Sequence, residues 1–301
     1  MTRLTNIALV ALFVAWDLAV LPVAPGLAGP AAHAAHVHAG ARQEKAKPLS
    51  LPAGIDPPAY KPGPNPFRPG EELVYVASWI GIPAATARIR LAPNRKDPKL
   101  WTAQAWLQTN KFVDLLYRMR DYMREDFAAE SFAPERIYIR QQENRRFYEY
   151  RVSFDHTDKL VKATKSDHRG AHSTEYLSSN PFGPLSGAVM ALSQPLTPGQ
   201  SLSFDVFTGG KRFVFDFHVK DRERIRTPMG TFEALRVVPT VPYMSDEKLA
   251  SKARDATIWI SADQRHLPLR IQAAAFVGYI RADLVEVRGQ VSRKSAAQNL
   301  R

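Results

Sequence analysis

The sequence contains no cysteine among its 301 residues. Disulfide bonds and thiol chemistry are therefore excluded, and so is attachment of a lipid through an N-terminal cysteine. Several catalytic motifs are also missing: the Gly-x-Ser-x-Gly nucleophile elbow, the His-Glu-x-x-His zinc motif, the Gly-x-x-x-x-Gly-Lys phosphate loop and the Gly-x-Gly-x-x-Gly dinucleotide fingerprint. These absences favour a protein that is not an enzyme, and we expect neither a cofactor nor a metal site.

The first 34 residues predict a cleavable signal peptide. A basic start with Arg3 precedes an apolar stretch over residues 6–15, which is the length that secretion signals use. Asp17 ends that stretch after about ten residues, whereas a membrane-spanning helix needs about 20. Small residues around Ala34 fit the cleavage rule, and Ala28 is a competing site. We therefore expect a periplasmic protein without an integral membrane span after cleavage.

The remaining chain divides into a linker, one domain and a tail. Residues 35–69 are rich in His, Ala, Pro, Gly and Lys, which predicts a disordered linker. His33, His36 and His38 resemble a weak metal-binding tract, but His33 would leave with the signal peptide, and disorder is the favoured interpretation of the remaining segment. Residues 70–288 predict a single β-domain, and the polar residues 289–301 predict a disordered tail.

Within the domain, apolar and polar residues alternate with a period of two. This pattern predicts strands with one face in a core and the other in water. Short turns such as Gly209-Gly210 separate consecutive strands, which is typical of an antiparallel meander. The predicted fold class is all-β and mainly antiparallel, either a curved meander sheet or an open or closed β-barrel. Apolar residues at helical spacing over 111–119 and 185–192 predict two short helices that cover a sheet end or a barrel mouth.

A series of segments then follows in a characteristic order: Pro69-Gly-Glu-Glu-Leu-Val-Tyr75, Ser78-Trp-Ile-Gly-Ile-Pro-Ala84, Asn180-Pro-Phe-Gly-Pro-Leu-Ser186, Arg226-Thr-Pro-Met-Gly-Thr-Phe-Glu-Ala-Leu-Arg-Val237, Ile258-Trp-Ile-Ser-Ala-Asp263 and Leu267-Pro-Leu-Arg-Ile271. Together they resemble the bacterial domain-of-unknown-function 3108 family. The resemblance implies an exported, mostly β protein with no established activity. Asn180 stands where Asp is common in that family, which argues against an essential carboxylate at this position.

The net charge of +12 is the clearest functional clue in the composition. On adjacent antiparallel strands the basic residues would form a positive surface, although acidic neighbours such as Glu135 and Glu223 dilute it. An exported protein meets anionic lipids, phosphorylated lipid A and acidic envelope polymers rather than nucleic acid. The alternative interpretation is a charged surface that serves solubility alone. The basic clusters comprise Arg136, Arg140, Arg145, Arg146, Arg151, Lys211, Arg212, Lys220, Arg222, Arg224 and Arg226.

Two groups of residues could form a metal site or a catalytic site. His168 and His172 are spaced to share a metal on a helix, but the residues around His168 are typical of a turn between strands. Ser186 could join a distant His and Asp as a nucleophile, although nothing in the sequence brings such residues together.

The sequence therefore predicts an envelope-associated binding protein that holds an anionic amphiphile, a lipid or a lipid A-like molecule, in a β-barrel. Two alternatives remain: a non-catalytic scaffold that contacts envelope proteins through a sheet edge, and a hydrolase of an envelope polymer. In the first hypothesis, aromatic side chains line an apolar interior and arginines lie near its mouth. The predicted ligand-binding residues are Trp79, Phe213, Phe215 and Phe217 inside, with Arg140, Arg145 and Arg212 at the mouth.

Overall fold

A computed structural model describes residues 47–246, 255–275 and 278–289 of the chain. The predicted signal peptide over residues 1–34 lies outside the described residues, as does most of the predicted tail.

The described part of the chain forms one 15-stranded sheet and one α-helix. Neighbouring strands are antiparallel except β9 and β10, which are parallel. The strand order is β8-β7-β6-β5-β4-β3-β2-β1-β15-β14-β13-β12-β11-β10-β9. Consecutive strands are therefore neighbours except β8 and β9, which are the two edges, and the sheet does not close by strand pairing. The helix, α1, spans Pro184–Ser193. The strands are β1 (Glu72–Trp79), β2 (Ile82–Pro93), β3 (Leu100–Thr109), β4 (Arg120–Ala128), β5 (Pro134–Glu143), β6 (Arg146–Asp155), β7 (Leu160–Asp167), β8 (Gly170–Leu177), β9 (Pro181–Phe182), β10 (Ser201–Thr208), β11 (Lys211–Thr227), β12 (Gly230–Met244), β13 (Ala256–Ser261), β14 (Pro268–Ala274) and β15 (Tyr279–Arg288).

The predicted all-β meander is confirmed, and one of its two-residue turns shows why the local sequence suffices. Gly209 and Gly210 join β10 to β11 with φ values of +55° and +82°. Thr208 pairs directly with Lys211 across this two-residue turn. Such a turn needs positive φ at both positions, which glycine adopts without strain.

The helix α1 fills the interior of the curled sheet. Nine of its ten residues are buried. Gly187 lies so close to β9 that an added Cβ would be 3.3 Å from the Cβ of Phe182. Two apolar cavities that border α1 are each about 40 Å³. Pockets for small-molecule ligands are typically about 300–1,000 Å³, so neither cavity has the size of a ligand lumen.

The two ends of the sheet overlap instead of pairing. The ring of Phe207 on β10 lies 6.2 Å from that of Phe154 on β6 and 5.4 Å from that of Tyr176 on β8. The Tyr176 hydroxyl donates to the carbonyl of Gly210 at 3.0 Å. The β10–β11 hairpin is therefore covered on the face away from Phe204, and both of its faces are buried.

Residues 47–69 differ from the predicted disordered linker, because they lie against the sheet. The Tyr60 hydroxyl accepts the Ser203 backbone N–H at 2.8 Å, and its ring is 4.8 Å from that of Phe204. Phe67 is buried in the core. Aromatic rings among the prolines give this segment apolar surface to bury, which the average composition of the linker conceals.

The two segments with helical spacing have different outcomes. The spacing over 185–192 corresponds to α1, as predicted. In the segment 111–119 the structure shows only a 3₁₀ turn over Val113–Leu115. Its neighbours Phe112 and Leu116 are 69% and 81% exposed, so these two residues do not cover the sheet as predicted, whereas Met119 of the same segment is buried.

Candidate functional site

A groove crosses the outer face of β4–β7 and is bordered by the β2–β3 loop. Strand register brings distant residues into rows on this face. In one row Arg124 lies opposite Tyr138, which lies opposite Arg151. In the next row Asp126 lies opposite Arg136. The groove has a volume of about 850 Å³. Alternation turns the polar residues of these strands away from the core, so most of the groove lining is polar, alongside the buried Ile137 and Val152.

Basic residues dominate the lining of this groove. The lining contains five basic side chains and one carboxylate, that of Asp126. Glu149 and Glu175 border it through ion pairs with Arg151 and Lys162 at 3.5 Å each. The basic residues still outnumber the acidic ones when both glutamates are counted. The five are Lys96, Arg124, Arg136, Arg151 and Lys162.

The buried carboxylate of Asp126 fixes two of these arginines. It accepts hydrogen bonds from the Thr102 hydroxyl at 2.6 Å, from Arg136 Nε at 2.7 Å and from Arg124 Nε at 3.1 Å. Burial alone would raise the pKa of Asp126, but the hydrogen bonds from Thr102, Arg136 and Arg124 outweigh it and hold the pKa below its ordinary value. The ionised carboxylate thus orients both guanidinium groups, while the Arg136 side chain stays 64% exposed to solvent.

Aromatic rings run along the same outer face. The rings of Trp106 and Tyr122 are 5.6 Å apart, and those of Tyr122 and Tyr138 are 6.3 Å apart. Arg88 lies over the ring of Trp106 at 5.2 Å, and Arg151 lies over the ring of Tyr138 at 5.4 Å. Guanidinium groups are therefore stacked on flat apolar surfaces that remain partly accessible. We call Trp106, Tyr122 and Tyr138 the aromatic row.

The aromatic residues predicted to line a lumen lie inside the sheet, but they pack in a filled core. Phe213, Phe215 and Phe217 are buried, and the rings of Phe213 and Phe215 are 5.8 Å apart. Trp79 packs against the same core at the end of β1, which is five strands away from β11 in the sheet. The structure therefore places all four residues against the core without opening a ligand-sized space between them and α1.

The three predicted rim arginines are not brought together. Arg140 and Arg145 are exposed, on β5 and on the β5–β6 turn. Arg212 is only 2% exposed and binds Asp205 through Nε at 2.8 Å and Nη2 at 2.6 Å. Its guanidinium also lies 5.2 Å from the ring centre of Phe207. Arg212 is buried because the sheet ends overlap, an arrangement that period-two patterning does not reveal.

The candidate nucleophile and the candidate metal-binding histidines have structural roles. Ser186 is fully buried, and its hydroxyl accepts the Gly183 N–H at 3.0 Å at the start of α1. This hydroxyl therefore caps the helix and is not exposed to a substrate. His168 and His172 belong to the β7–β8 hairpin, in which Lys165 pairs with His172. That placement agrees with the predicted turn and not with a helix.

A buried glutamate holds the start of α1. The carboxylate of Glu125 on β4 accepts the backbone N–H groups of Leu185 at 2.8 Å and Ser186 at 3.1 Å. Gly183 makes this approach possible, because an added Cβ there would lie 2.2 Å from Glu125 Oε1. Burial raises the pKa of Glu125 to about 7, although the hydrogen bonds from the helix lower it.

This raised pKa predicts a pH dependence of stability that the Glu125→Gln variant lacks. Between about pH 4.5 and 7 the folded state binds more protons than the unfolded state, so stability falls as pH rises through this window. At about 1.4 kcal/mol per pKa unit, the loss between pH 5 and pH 8 is about 2–3 kcal/mol. Urea denaturation of both proteins at the two pH values measures this change in the free energy of unfolding. Subtracting the change in Glu125→Gln from that in the unaltered protein removes the contribution of the other titrating groups. Equal pH dependence in both proteins would contradict this assignment.

Comparisons with known proteins bear on the fold. The model of the family described as "Protein of unknown function (DUF3108)" matches residues 74–285, which confirms the resemblance seen in the sequence. No curated protein sequence matches the chain. Among solved structures, the chain is similar to a beta-barrel-like protein of domain-of-unknown-function family DUF1849 from Brucella abortus, with a TM-score of 0.51 and 9% identity over 72% of this chain and 96% of that chain. At this identity the likeness concerns the fold alone.

Two further solved structures match with lower TM-scores. A candidate exported protein from Bacteroides fragilis has a TM-score of 0.28 and 12% identity over 76% of this chain and 99% of that chain. A candidate lipoprotein from Parabacteroides distasonis has a TM-score of 0.28 and 10% identity over 77% of this chain and 100% of that chain. In the described part of this chain, no helix has both the length and the apolar character needed to cross a membrane.

Proposed function

The chain belongs to the DUF3108 family of proteins of unknown function, and from this premise we propose that it is an exported, non-catalytic envelope protein that binds an anionic saccharide in its outer groove. The saccharide is the head of a lipid A-like amphiphile or a unit of an acidic envelope polymer. Export rests on the signal peptide that the sequence predicts over residues 1–34.

The observation that carries this proposal is the row of basic side chains beside the aromatic row. Guanidinium groups bind phosphate and carboxylate through paired, charge-assisted hydrogen bonds. The partly accessible rings of Tyr122 and Tyr138 offer flat apolar surface against which the carbon face of a sugar ring packs. The chain's net charge of +12 attracts such anions over longer distances.

The filled interior favours the outer face over the predicted lumen as the ligand site. The two cavities beside α1 are each about 40 Å³, whereas the groove has about 850 Å³. An acyl chain needs an apolar space that these two cavities do not provide. We therefore propose recognition of the anionic head, with any lipid chains of the ligand outside the protein.

Removing three groove charges should weaken binding of a bis-phosphorylated glucosamine disaccharide by about tenfold or more, since about 1.4 kcal/mol corresponds to a factor of ten. The variant is Lys96→Ser/Arg151→Ser/Lys162→Ser, which spares the two arginines that compensate Asp126. Exposed charges act through a screened field, so the loss should shrink in high salt. Isothermal titration calorimetry at low and high salt measures both effects.

The matched control removes three exposed charges elsewhere, on β11, in Lys220→Ser/Arg222→Ser/Arg226→Ser. It should bind the disaccharide like the unaltered protein. Equal loss of affinity in both triple variants would mean that net charge alone attracts the ligand, and the groove proposal would fail. The Tyr122→Ala variant adds a second criterion, since it should weaken binding of the disaccharide and leave binding of inorganic pyrophosphate unchanged.

A scaffold role is the second candidate, and the edge strand β8 favours it. Leu49 pairs with one end of β8, through bonds between its backbone and those of Glu175 and Leu177. Within the described ranges no strand pairs with the outer edge of residues 170–174. Such an edge can accept a strand from a partner protein. The groove variants would leave binding of that partner unchanged.

A further inference from the structure

Six large apolar side chains are exposed at one end of the sheet. Exposed apolar residues on soluble proteins are usually scattered singly, so a cluster of them marks an interaction surface. We call this cluster the apolar tip. Its members and their exposed fractions are Ile80 (50%), Ile82 (61%), Phe112 (69%), Leu115 (81%), Leu116 (81%) and Tyr279 (36%).

The sheet topology makes the apolar tip one continuous surface. The turn between β1 and β2 carries Ile80, whose N–H donates to the carbonyl of Tyr279 at 3.1 Å. The loop between β3 and β4 is fastened to β2, because the backbone N–H of Asn110 donates to the Ala84 carbonyl at 2.9 Å and its side-chain amide donates to the Pro83 carbonyl at 2.6 Å. The tip therefore spans the adjacent ends of β15, β1, β2 and β3.

The polar residues of the β3–β4 loop hold its apolar residues outward. Asp114 accepts hydrogen bonds from the Thr109 hydroxyl and from Arg120, both at 2.5 Å. The hydrogen bond from Arg120 lowers the pKa of Asp114, which stays ionised in this contact. The Asn110 side chain accepts the Val113 N–H at 2.9 Å. The exposure of Leu115 and Leu116 thus results from a hydrogen-bonded loop and not from an unfolded one.

Basic residues flank the apolar tip on the side of the β3–β4 loop. Lys111, Arg118, Arg145 and Arg146 are all exposed. Asn144 fixes the β5–β6 turn beside the loop, because its N–H donates to the Arg118 carbonyl and its side chain accepts the Arg118 N–H, both at 2.8 Å. Of the carboxylates nearest to them in the chain, Asp114 is paired with Arg120 and Glu143 is buried.

We propose that the apolar tip inserts into the headgroup and upper acyl region of a bilayer that contains anionic lipids, with the flanking basic residues on the headgroups. Apolar side chains that project from turns beside basic residues can bind a membrane interface, because the apolar groups insert and the basic groups are attracted to anionic headgroups. A second copy of the chain fits the tip poorly, because a symmetric contact would bring the four cations against their equals. This inference is independent of the proposed saccharide groove, since none of the tip residues lines it.

The test uses the exported chain after removal of its signal segment and measures co-sedimentation with vesicles. The unaltered protein should bind vesicles of phosphatidylcholine with 30% phosphatidylglycerol (about 30% anionic lipid gives a negative surface) and bind pure phosphatidylcholine much more weakly. Leu115→Ser/Leu116→Ser should lower the partition coefficient by about tenfold or more, because two leucines leave the bilayer. Arg145→Ser/Arg146→Ser should lower it by several-fold only on the anionic vesicles.

The matched control is Leu177→Ser/Met229→Ser, which alters two exposed apolar residues far from the tip. It should bind vesicles like the unaltered protein, and so should the groove variant Lys96→Ser/Arg151→Ser/Lys162→Ser. In a Leu115→Trp variant the indole emission should shift to the blue when anionic vesicles are added. An unchanged emission spectrum, or full vesicle binding by Leu115→Ser/Leu116→Ser, would overturn the proposal. So would a dimer in solution that this double variant abolishes while neither protein binds vesicles.

Discussion

Replacing Arg212 with Met should lower the free energy of unfolding by about 3–5 kcal/mol, because it leaves the carboxylate of Asp205 buried without its cation. Both residues are 2% exposed, and two hydrogen bonds join them. Ser178 also donates its hydroxyl to Asp205 at 2.5 Å. Burial already raises the pKa of Asp205 with these partners in place. Urea denaturation at pH 7.5 measures the loss.

The loss in the Arg212→Met variant should shrink as the pH falls, since a protonated Asp205 no longer requires a cation. The double variant Asp205→Leu/Arg212→Met should recover most of the stability, because neither charge remains. Arg140→Ser and Arg145→Ser alter exposed arginines and should change stability by no more than about 0.5 kcal/mol. A stable Arg212→Met protein would place Arg212 at an exposed rim and contradict the overlap of the sheet ends.

Replacing Phe215 with Ala should cost about 3–5 kcal/mol of stability, because it removes a buried ring from a filled core. Phe215 is 1% exposed and lies opposite Phe204 on β10. The matched control is Phe147→Ala, in which the side chain is 49% exposed and the change should be within about 0.5 kcal/mol. Thermal and urea denaturation of the two variants give the comparison directly.

The same Phe215→Ala protein distinguishes the outer groove from an interior lumen. If the ligand binds in the groove, the folded fraction of the variant should bind the phosphorylated disaccharide with unchanged affinity. A small loss of stability together with a large loss of affinity would instead place the ligand inside the sheet. That result would return the ligand to the predicted site formed by Trp79, Phe213, Phe215 and Phe217.

Local patterns predicted the strands and hairpins correctly, because alternation and turn residues act within a few positions. The β10–β11 hairpin follows from Gly209-Gly210 and the alternating residues beside it. The helix α1 follows from its apolar spacing. Its cap does not, since Glu125 binds Leu185 from 60 positions earlier in the chain.

The groove could not be predicted, because it depends on the strand register, which the sequence does not reveal. Arg136 and Arg151 stood out as basic residues, but only strand pairing places each of them in a row with Asp126 or Tyr138. The sequence also does not reveal the overlap of the sheet ends, which buries Arg212 in the interior and not at the predicted rim. Basic residues counted along the chain therefore predict a positive surface, whereas their arrangement within the groove follows only from strand pairing.

The measurement that tests the central claim most directly is an NMR titration that follows the Nε–H signals of the arginine side chains while the bis-phosphorylated disaccharide is added. The account predicts saturable shifts for Arg124, Arg136 and Arg151, and no shift for the buried Arg212. Shifts at Arg212 with the groove signals unchanged, or no shift at any arginine, would contradict it.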